Sequence, residues 1–585
     1  MHTSSKKQVP ARIVASSGVK HSNLAKHSIM RVYAVCSPRL QLPKAQHMFL
    51  KVATACCMIT SAVSLPPHIV ILFADNLGWA NVGWHSPPSL DPRVRPSTPH
   101  LESLLANGLE LDRHYTYKFC SPSRSSLMTG RLPFHVNIYN DNPSLPGQGV
   151  PVNMTMLPRK LKQSGYACHF VGKWHIGMAS ASMQTPRARG FDTSLAYFHS
   201  TNNYYDQTND GVHHSGCGAV PGAVDLYDTD GPAYGLNGSA YEERIFGARA
   251  VRLIREHAAS HREDTDHERD GGAPVPPFFL YYAFHTSCVS PGDKLQPDAE
   301  FYARFAGIKD PDRRANVAMV ALMDEVTGNI TSALHETGMW NNTLLLWSSD
   351  NGGAVHKGGG ANVWPLRGGY ENNWEGGIRA AALLSGGFLP PAVRGQKLEG
   401  FIHECDWYRT LCTLAGVDPT DYLAADAGLP PIDSVDVWPL ISGANATSPR
   451  VEWPLTPFGE DTTRSEHGGD AAYMAEGRYK LIVGAKVQQA GWCGQAHPNR
   501  TKVWDSFKTL LNCSVSATKT GCLFDVLEDP GEHEDLALSK PEKAAQIYAK
   551  MLEAEEHWFD PDRGLPDARA CALARKTGFW QPFLP

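Results

Sequence analysis

Several apolar runs in the chain are short, unbroken by polar alternation, and end in polar residues. His68-Ile69-Val70-Ile71-Leu72-Phe73-Ala74 runs into Asp75-Asn76-Leu77-Gly78, and Thr343–Ser348 runs into Asp350-Asn351-Gly352-Gly353. Runs of this kind predict strands buried on both faces, as in a parallel sheet covered by helices. A short strand ending at Gly172, another over Phe278–Phe284 and a further one over Ala380–Leu384 fit the same sheet. Elsewhere the spacing becomes helical. Thr98-Pro99 caps a helix whose buried face is Leu101, Leu104 and Leu105, with Gly108 ending it. Val326, Ile330 and Leu334, extended by Val317 and Val320, predict a long helix from Arg313 to Gly338. Phe401–Ala415 also reads as a helix, with Cys405 and Cys412 on one face.

Other stretches lack a strong period. Residues 197–240 are rich in Asn, Gly, Tyr and Asp and predict a long loop region walling a cleft. Residues 258–276, charged and then Gly/Pro-rich, read as a solvated excursion. From about residue 450 the character changes. Ala472–Val483 alternates like an exposed-face strand, with Arg478-Tyr479-Lys480 in a turn-like middle. A strand at Leu523-Phe524-Asp525, a turn at Asp529-Pro530-Gly531 and a helix over Pro541–His557 follow. The expected organisation is a leader over 1–65, an α/β domain over 66–450 and a smaller α/β subdomain over 451–585.

Composition narrows the partners. At 585 residues, 42% hydrophobic and 19% charged, the chain can fill a large globular core. A net charge of −5 with no sustained basic run disfavours nucleic acid as a partner. Residues 1–47 are basic and free of Asp and Glu, and the apolar stretch Val52–Val63 is followed by small residues. That is the order of a secretory signal peptide. An uncleaved anchor ranks second, because the run is shorter than the ~20 residues of a membrane-spanning helix; an organelle transit peptide ranks third. No stable membrane span is expected. Seven N-x-S/T sequons, at Asn153, Asn237, Asn329, Asn341, Asn445, Asn499 and Asn512, fit a secretory glycoprotein in an extracellular or lysosome-like compartment. Of the 13 cysteines, three lie in the leader. Several of the rest are disulfide candidates, Cys493, Cys513 and Cys522 among them.

Three stretches carry candidate chemistry. Cys120-Ser121-Pro122-Ser123-Arg124, followed by Thr129-Gly130, sets a small nucleophilic side chain beside a fixed cationic fork. The next helix is expected to begin near Ser123, with its positive end toward that nucleophile. In isolation this motif fits better a disulfide cysteine beside a surface arginine. Gly172-Lys173-Trp174-His175 sets Lys173 and His175 two apart, on one side of an extended chain. The two Asp-Asn pairs, Asp75-Asn76 and Asp350-Asn351, offer oxygen donors for one hard divalent cation, although Asp-Asn before Gly is also ordinary turn chemistry.

The whole pattern from Cys120 to Gly130 resembles the sulfatase signature, and Gly172–His175 resembles the second signature of that family. Trp340-Asn341-Asn342-Thr343, Trp364-Pro365-Leu366-Arg367-Gly368 and Trp374-Glu375-Gly376-Gly377 look most like the arylsulfatase B branch. The resemblance implies an alkaline-phosphatase-like α/β fold and hydrolysis of a sulfate ester, on a sulfated saccharide or an aryl sulfate. It implies that Cys120 is converted to formylglycine by a formylglycine-generating enzyme. One hydroxyl of the hydrated aldehyde attacks sulfur, and loss of the other hydroxyl's proton then expels sulfate. One Ca²⁺ is implied on Asp75, Asn76, Asp350 and Asn351, with residue 120 touching it, and Arg124, Lys173 and His175 around the sulfate. Three positions depart from the family pattern. Asn76 stands where an Asp is usual. The histidine that protonates the leaving oxygen aligns with Cys288, with His285 three residues earlier as a candidate substitute. The sulfate-binding lysine aligns with Tyr370. These departures keep two alternatives open: a sulfatase-fold glycan-binding protein with little turnover, and a phosphate or phosphonate ester hydrolase.

Overall fold

A computed structural model describes residues 66–90, 95–140, 143–211, 218–267, 276–292, 294–355, 358–458, 470–488, 491–495 and 509–585. The expected leader, the sequon at Asn499 and most of the Gly/Pro-rich stretch before residue 276 lie outside the described residues.

His68–Ala74 is the central strand of a ten-stranded mixed sheet, parallel to Phe278–Ala283 on one side and to Thr343–Ser349 on the other. Ala167–Lys173 and Thr193–Tyr197 extend the parallel part beyond Phe278–Ala283. Leu383–Ser385 pairs antiparallel beyond Thr343–Ser349. The unbroken apolar run of the central strand has a direct cause. Ile69, Ile71 and Phe73 point into one core and Val70, Leu72 and Ala74 into another, so neither face meets water. The first core is closed by the helices Cys120–Thr129 and Asp406–Leu414, through Leu127, Met128, Trp407 and Leu411. The second is closed by Glu242–His267 and Pro311–Glu336, through Phe246, Ile254, Val326 and Ile330. This is the alkaline-phosphatase-like α/β architecture: a mostly parallel sheet between helical layers.

Several boundaries differ from those read off the sequence. The long helix begins at Pro311, two residues before Arg313, because the Asp310 side chain accepts from the N–H groups of Asp312 and Arg313. Of the expected excursion over 258–276, the residues up to His267 continue helix Glu242–His267. After Gly108 the chain forms two short strands, Leu109–Leu111 and His114–Tyr115, in different sheets. Ile402–His403 is a short strand, and the helix after it starts only at Asp406, so Cys405 precedes it.

Ala472–Val483 is a hairpin and not one exposed-face strand. Ala471–Ala475 and Tyr479–Val487 pair antiparallel across Glu476-Gly477-Arg478, and their facing residues are largely buried. With Trp453–Thr456, Leu511–Cys513 and Cys522–Asp525 they form a five-stranded sheet, on which helix Pro541–Glu555 packs through Ala544, Ile547 and Met551. Cys513 and Cys522 form a disulfide within it. Cys571 is also disulfide-bonded, whereas Cys493 is a buried free thiol. The chain then leaves this sheet. Helix Ala568–Thr577 and Trp580 fill the first core, where the Trp580 indole donates to the Asn209 carbonyl at 2.7 Å.

A buried charge cluster joins the small sheet to the strand His114–Tyr115 and the short helix Glu375–Ile378. Lys480 Nζ lies 2.9 Å from Glu375 Oε1 and 2.7 Å from Glu532 Oε1, while Tyr115 donates to the other Glu375 oxygen at 2.7 Å. Burial pushes the Glu532 carboxyl up to about 7; the Glu375 charge adds to this and Lys480 opposes it. A buried carboxylate deprived of its cation costs about 3–5 kcal/mol. Lys480→Met is therefore expected to lose about that much at pH 8, measured by chemical denaturation. Glu532 already binds its proton more tightly folded than unfolded. Its contribution is thus favourable at acidic pH and lost as pH rises through about 7. Without Lys480 this dependence steepens, so the penalty at pH 5 should be clearly smaller. Equal penalties at both pH values would show that Lys480 does not neutralise this pair.

Candidate active site

The register of two parallel strands builds the site. Ala74 stands beside Ser349, so Asp75 and Asp350 leave the sheet side by side at the carboxyl ends of neighbouring strands. The Asp350 N–H donates to the Ala74 carbonyl at 3.0 Å, and the Asn76 N–H donates to Asp350 Oδ1 at 3.2 Å. Asn76 adopts a left-handed conformation, φ 55°, which asparagine tolerates better than most residues.

The helix that carries the nucleophile candidate begins at Cys120 itself, not at Ser123, with Phe119 as its cap residue and left-handed Gly130 at its end. Cys120 is 1% exposed. Its Sγ lies 3.9 Å from Asp75 Oδ1, 4.0 Å from Asn76 Oδ1 and 4.0 Å from the Tyr370 hydroxyl. Burial, and then the Asp75 charge, push this thiol well above its ordinary range. Arg124, one turn on, reaches both aspartates. It donates to Asp350 Oδ2 at 2.7 and 3.1 Å, to Asp75 Oδ2 at 2.9 Å and to the Lys173 carbonyl at 2.9 Å.

Lys173 ends a strand two places from the centre of the sheet, and its Nζ donates to Asp75 Oδ2 at 2.5 Å. Burial opposes its charge, but Asp75, together with Cys120 and Cys288, outweighs burial and holds the ammonium above its usual range. Gly172 lets this strand come close: a Cβ there would stand 1.8 Å from the Ala283 carbonyl. The chain is not extended past Lys173. His175 has φ 53°, so the expectation that Lys173 and His175 share one side of a strand does not hold. His175 is fully buried, and its carbonyl accepts from Ser121 Oγ at 2.8 Å, fixing the start of the nucleophile helix.

The donor set suits a hard cation. One oxygen each of Asp75 and Asp350 and the Cys120 sulfur lie within 4.8 Å of one another. Asn351 donates to Asn76 Oδ1 at 2.6 Å, while its own Oδ1 is buried without a hydrogen-bond partner among the described residues. An orphaned buried carbonyl beside two carboxylates and a second amide oxygen is a fit for Ca²⁺. Burial and the Asp75 charge push Asp350 up to about 6, with Arg124 pulling against them.

His285 and Cys288 divide their roles. The two ring nitrogens of His285 are turned to Glu242, at 2.7 Å, and Thr201, at 3.0 Å, and the ring stacks on Tyr204 at 3.8 Å. Burial, with Lys173 and Arg124 nearby, holds its pKa well below the usual histidine range. Among the described contacts it reaches none of the Asp-Asn residues. Cys288 does: Asn76 Nδ2 donates to its sulfur at 3.3 Å.

Two neighbours carry no readable signal in the sequence. Glu404 is buried close by; burial, and then the Asp350 charge, push its carboxyl well above the usual range. Asn140 is exposed and touches both Ser121 and Tyr370. The Arg367 guanidinium lies 3.9 Å over the Trp374 ring and 4.5 Å over that of Trp492.

Residues 67–417 match the family model described as Sulfatase. The chain belongs to the sulfatase family. It is 30% identical to arylsulfatase J of Mus musculus over 494 residues, covering 81% of this chain and 73% of that protein. Arylsulfatase A of Bos taurus is 29% identical, over 85% of this chain and 89% of its own. Among solved structures, Ps i-CgsB in complex with k-i-k-neocarrahexaose aligns with a TM-score of 0.65 at 22% identity, over 88% of this chain and 97% of that one. The PsFucS1 sulfatase from Pseudoalteromonas sp. aligns with a TM-score of 0.59 at 22% identity, over 85% and 92%. At these identities the structures speak to the fold. As a sulfatase, the protein is a sulfuric ester hydrolase, and the cluster around Cys120 lies within the matched residues.

Proposed function

We propose that the protein hydrolyses sulfate esters of a sulfated carbohydrate or an aryl alcohol, at residue 120. The observation that carries this reading is the strand register that gathers both Asp-Asn pairs around the helix start bearing Cys120. Conversion of Cys120 to formylglycine would supply a hydrated aldehyde as nucleophile. Ca²⁺ on Asp75, Asn76, Asp350 and Asn351 would supply positive charge beside it. The chain's own residues do the rest. Arg124 and Lys173 hold the two carboxylates in place, so that they face the nucleophile in one geometry. His175 fixes Ser121, and with it the helix whose N–H groups favour an anion at residue 120. His285, hydrogen-bonded at both nitrogens, supports the wall behind the site rather than reaching the ester.

A secretory location, extracellular or lysosome-like, belongs to the same reading. All six described sequon asparagines are exposed, as attachment of a glycan requires. Disulfides at Cys513–Cys522 and at Cys571 suit an oxidising compartment. Among the described residues, no helix is long and apolar enough to cross a membrane.

Mass spectrometry of the peptide holding residue 120, from protein made in a eukaryotic secretory host, tests the reading directly. The expected result is a loss of about 18 Da, from replacement of the thiol by an aldehyde, together with 4-nitrophenyl sulfate hydrolysis that EGTA suppresses. An unmodified thiol despite a competent modifying enzyme would move the glycan-binding alternative to first place, which Cys288 and Tyr370 favour.

A further inference from the structure

Residues 231–240 and helix Glu242–His267 enclose a groove of about 860 Å³. The chemistry proposed at residue 120 makes no use of it. Its walls are largely apolar: Pro232, Ala233 and Leu236 on one side, Ile245 and Ala248 on the helix. Tyr234 also lines it, 69% exposed, with its ring packed edge-on against Phe579 at 4.9 Å. An aromatic face this open, beside an apolar floor, suits a flat and partly apolar partner. A groove of this volume has room for a few rings.

The arginines at the groove already have acidic partners. Arg249 pairs with Asp228, Arg244 with Asp298 at 2.9 Å, and Arg252 faces Glu256 at 3.7 Å. A sulfated or otherwise anionic ligand finds no unshared cation among them. A neutral ligand with one apolar face and several hydroxyls fits better. Its carbon face can lie on Tyr234 and the aliphatic floor while its hydroxyls reach the ion pairs.

The rim of the groove holds an attachment point for such a ligand. Asn237-Gly238-Ser239 is an N-x-S/T sequon, and both Leu236 before Asn237 and Ser239 after it line the groove. The turn is tied down on either side. Ser239 donates to the Leu236 carbonyl through its hydroxyl at 2.6 Å and its N–H at 3.1 Å. The Gly238 N–H donates to Oε1 of the buried Gln207 at 2.8 Å. The Asn237 side chain, by contrast, is exposed and makes no hydrogen bond among the described residues.

We infer that Asn237 carries an N-linked oligosaccharide whose inner N-acetylglucosamine residues lie in this groove, against Tyr234, as a fixed part of the folded surface. In the attachment, the Asn237 amide nitrogen forms a bond to C1 of the first sugar. The bond from C1 to the oxygen of a lipid-linked diphosphate breaks, the diphosphate leaves with its electron pair, and an amide proton is released. The tether then holds the sugar at roughly millimolar effective concentration, so weak stacking contacts are enough to dock it. The inference rests on the secretory location proposed above and not on the chemistry at residue 120.

The test uses the full chain made in a eukaryotic secretory host restricted to high-mannose glycans. Native protein is digested with an endoglycosidase that cuts between the two inner N-acetylglucosamine residues, and mass spectrometry follows each glycopeptide. Cleavage at Asn237 is expected to be at least about tenfold slower than at the other occupied sequons, as for a glycan accessible about one-tenth of the time. After denaturation the rates should be equal. Tyr234→Ser, at an exposed position, should leave thermal unfolding unchanged and bring native cleavage at Asn237 up to the rate at the other sequons. Unprotected sugar at Asn237, an unmodified Asn237 beside other occupied sequons, or full protection in Tyr234→Ser overturns the inference alone. Dimers of the wild-type chain that Tyr234→Ser dissociates would assign the groove to a second copy and overturn it as well. Sugar at none of the sequons would bring it down together with the secretory location.

Discussion

A Cys120→Ala variant is expected to fold and to lose sulfate-ester hydrolysis by about 10⁴-fold or more, the scale seen when a covalent nucleophile is removed. The fold should survive because the thiol holds little in place. Its sulfur makes only long contacts, of 3.9–4.0 Å, to Asp75, Asn76 and Tyr370, and the helix it opens is anchored elsewhere. A stability cost of about 1 kcal/mol or less is expected. Thermal unfolding and a chromogenic sulfatase assay on the same preparation separate the two effects. Residual activity above about 1% of wild type would place the nucleophile at another residue.

Arg124→Met should be damaging for a different reason. Arg124 supplies four of the hydrogen bonds in the fully buried cluster, and without it Asp350 keeps no cation among its described ion pairs. A buried charge left without its partner costs about 3–5 kcal/mol, and loss of the geometry around residue 120 should reduce kcat/KM by about 10²–10³-fold. The origin of the stability loss can be checked by adding Ca²⁺. A cation bound to the same carboxylates at about 100 times its Kd contributes about 2.7 kcal/mol, so the variant should recover much of its loss in Ca²⁺ and none in EGTA. A penalty below 1 kcal/mol that ignores Ca²⁺ would falsify the view that Arg124 neutralises Asp350.

Much of this site was legible because its residues lie next to strong periodic signals. The run His68–Ala74 announces a doubly covered strand, and Asp75-Asn76 at its end needs no partner to be noticed. That Asp350 sits beside Asp75 was suggested only by the repeated pattern; the pairing of Ala74 with Ser349 is a long-range fact that no local period encodes. Buried charge was the harder part. Glu375, Lys480 and Glu532 look like surface residues in sequence, and only their mutual neutralisation explains their burial. The charged end of helix Glu242–His267 was read as an excursion because its polar residues hide a continuing backbone period. Lys173 and His175 misled through geometry: spacing fixes a shared side only while the chain stays extended, and it does not at His175.

The return of helix Ala568–Thr577 and Trp580 to the first core has a consequence for the order of events during biosynthesis. Leu127 and Met128, on the helix that Cys120 opens, share that core with Trp580. The ribosome delivers the signature segment long before it delivers the residues that seal the core over it. During that interval the cysteine, 1% exposed once folding is complete, has not yet been enclosed. The late arrival of residues 568–580 therefore leaves a period before that core is complete, the period that the conversion proposed for Cys120 would use. A truncation that removes Trp580 would be expected to lengthen that period while weakening the finished protein.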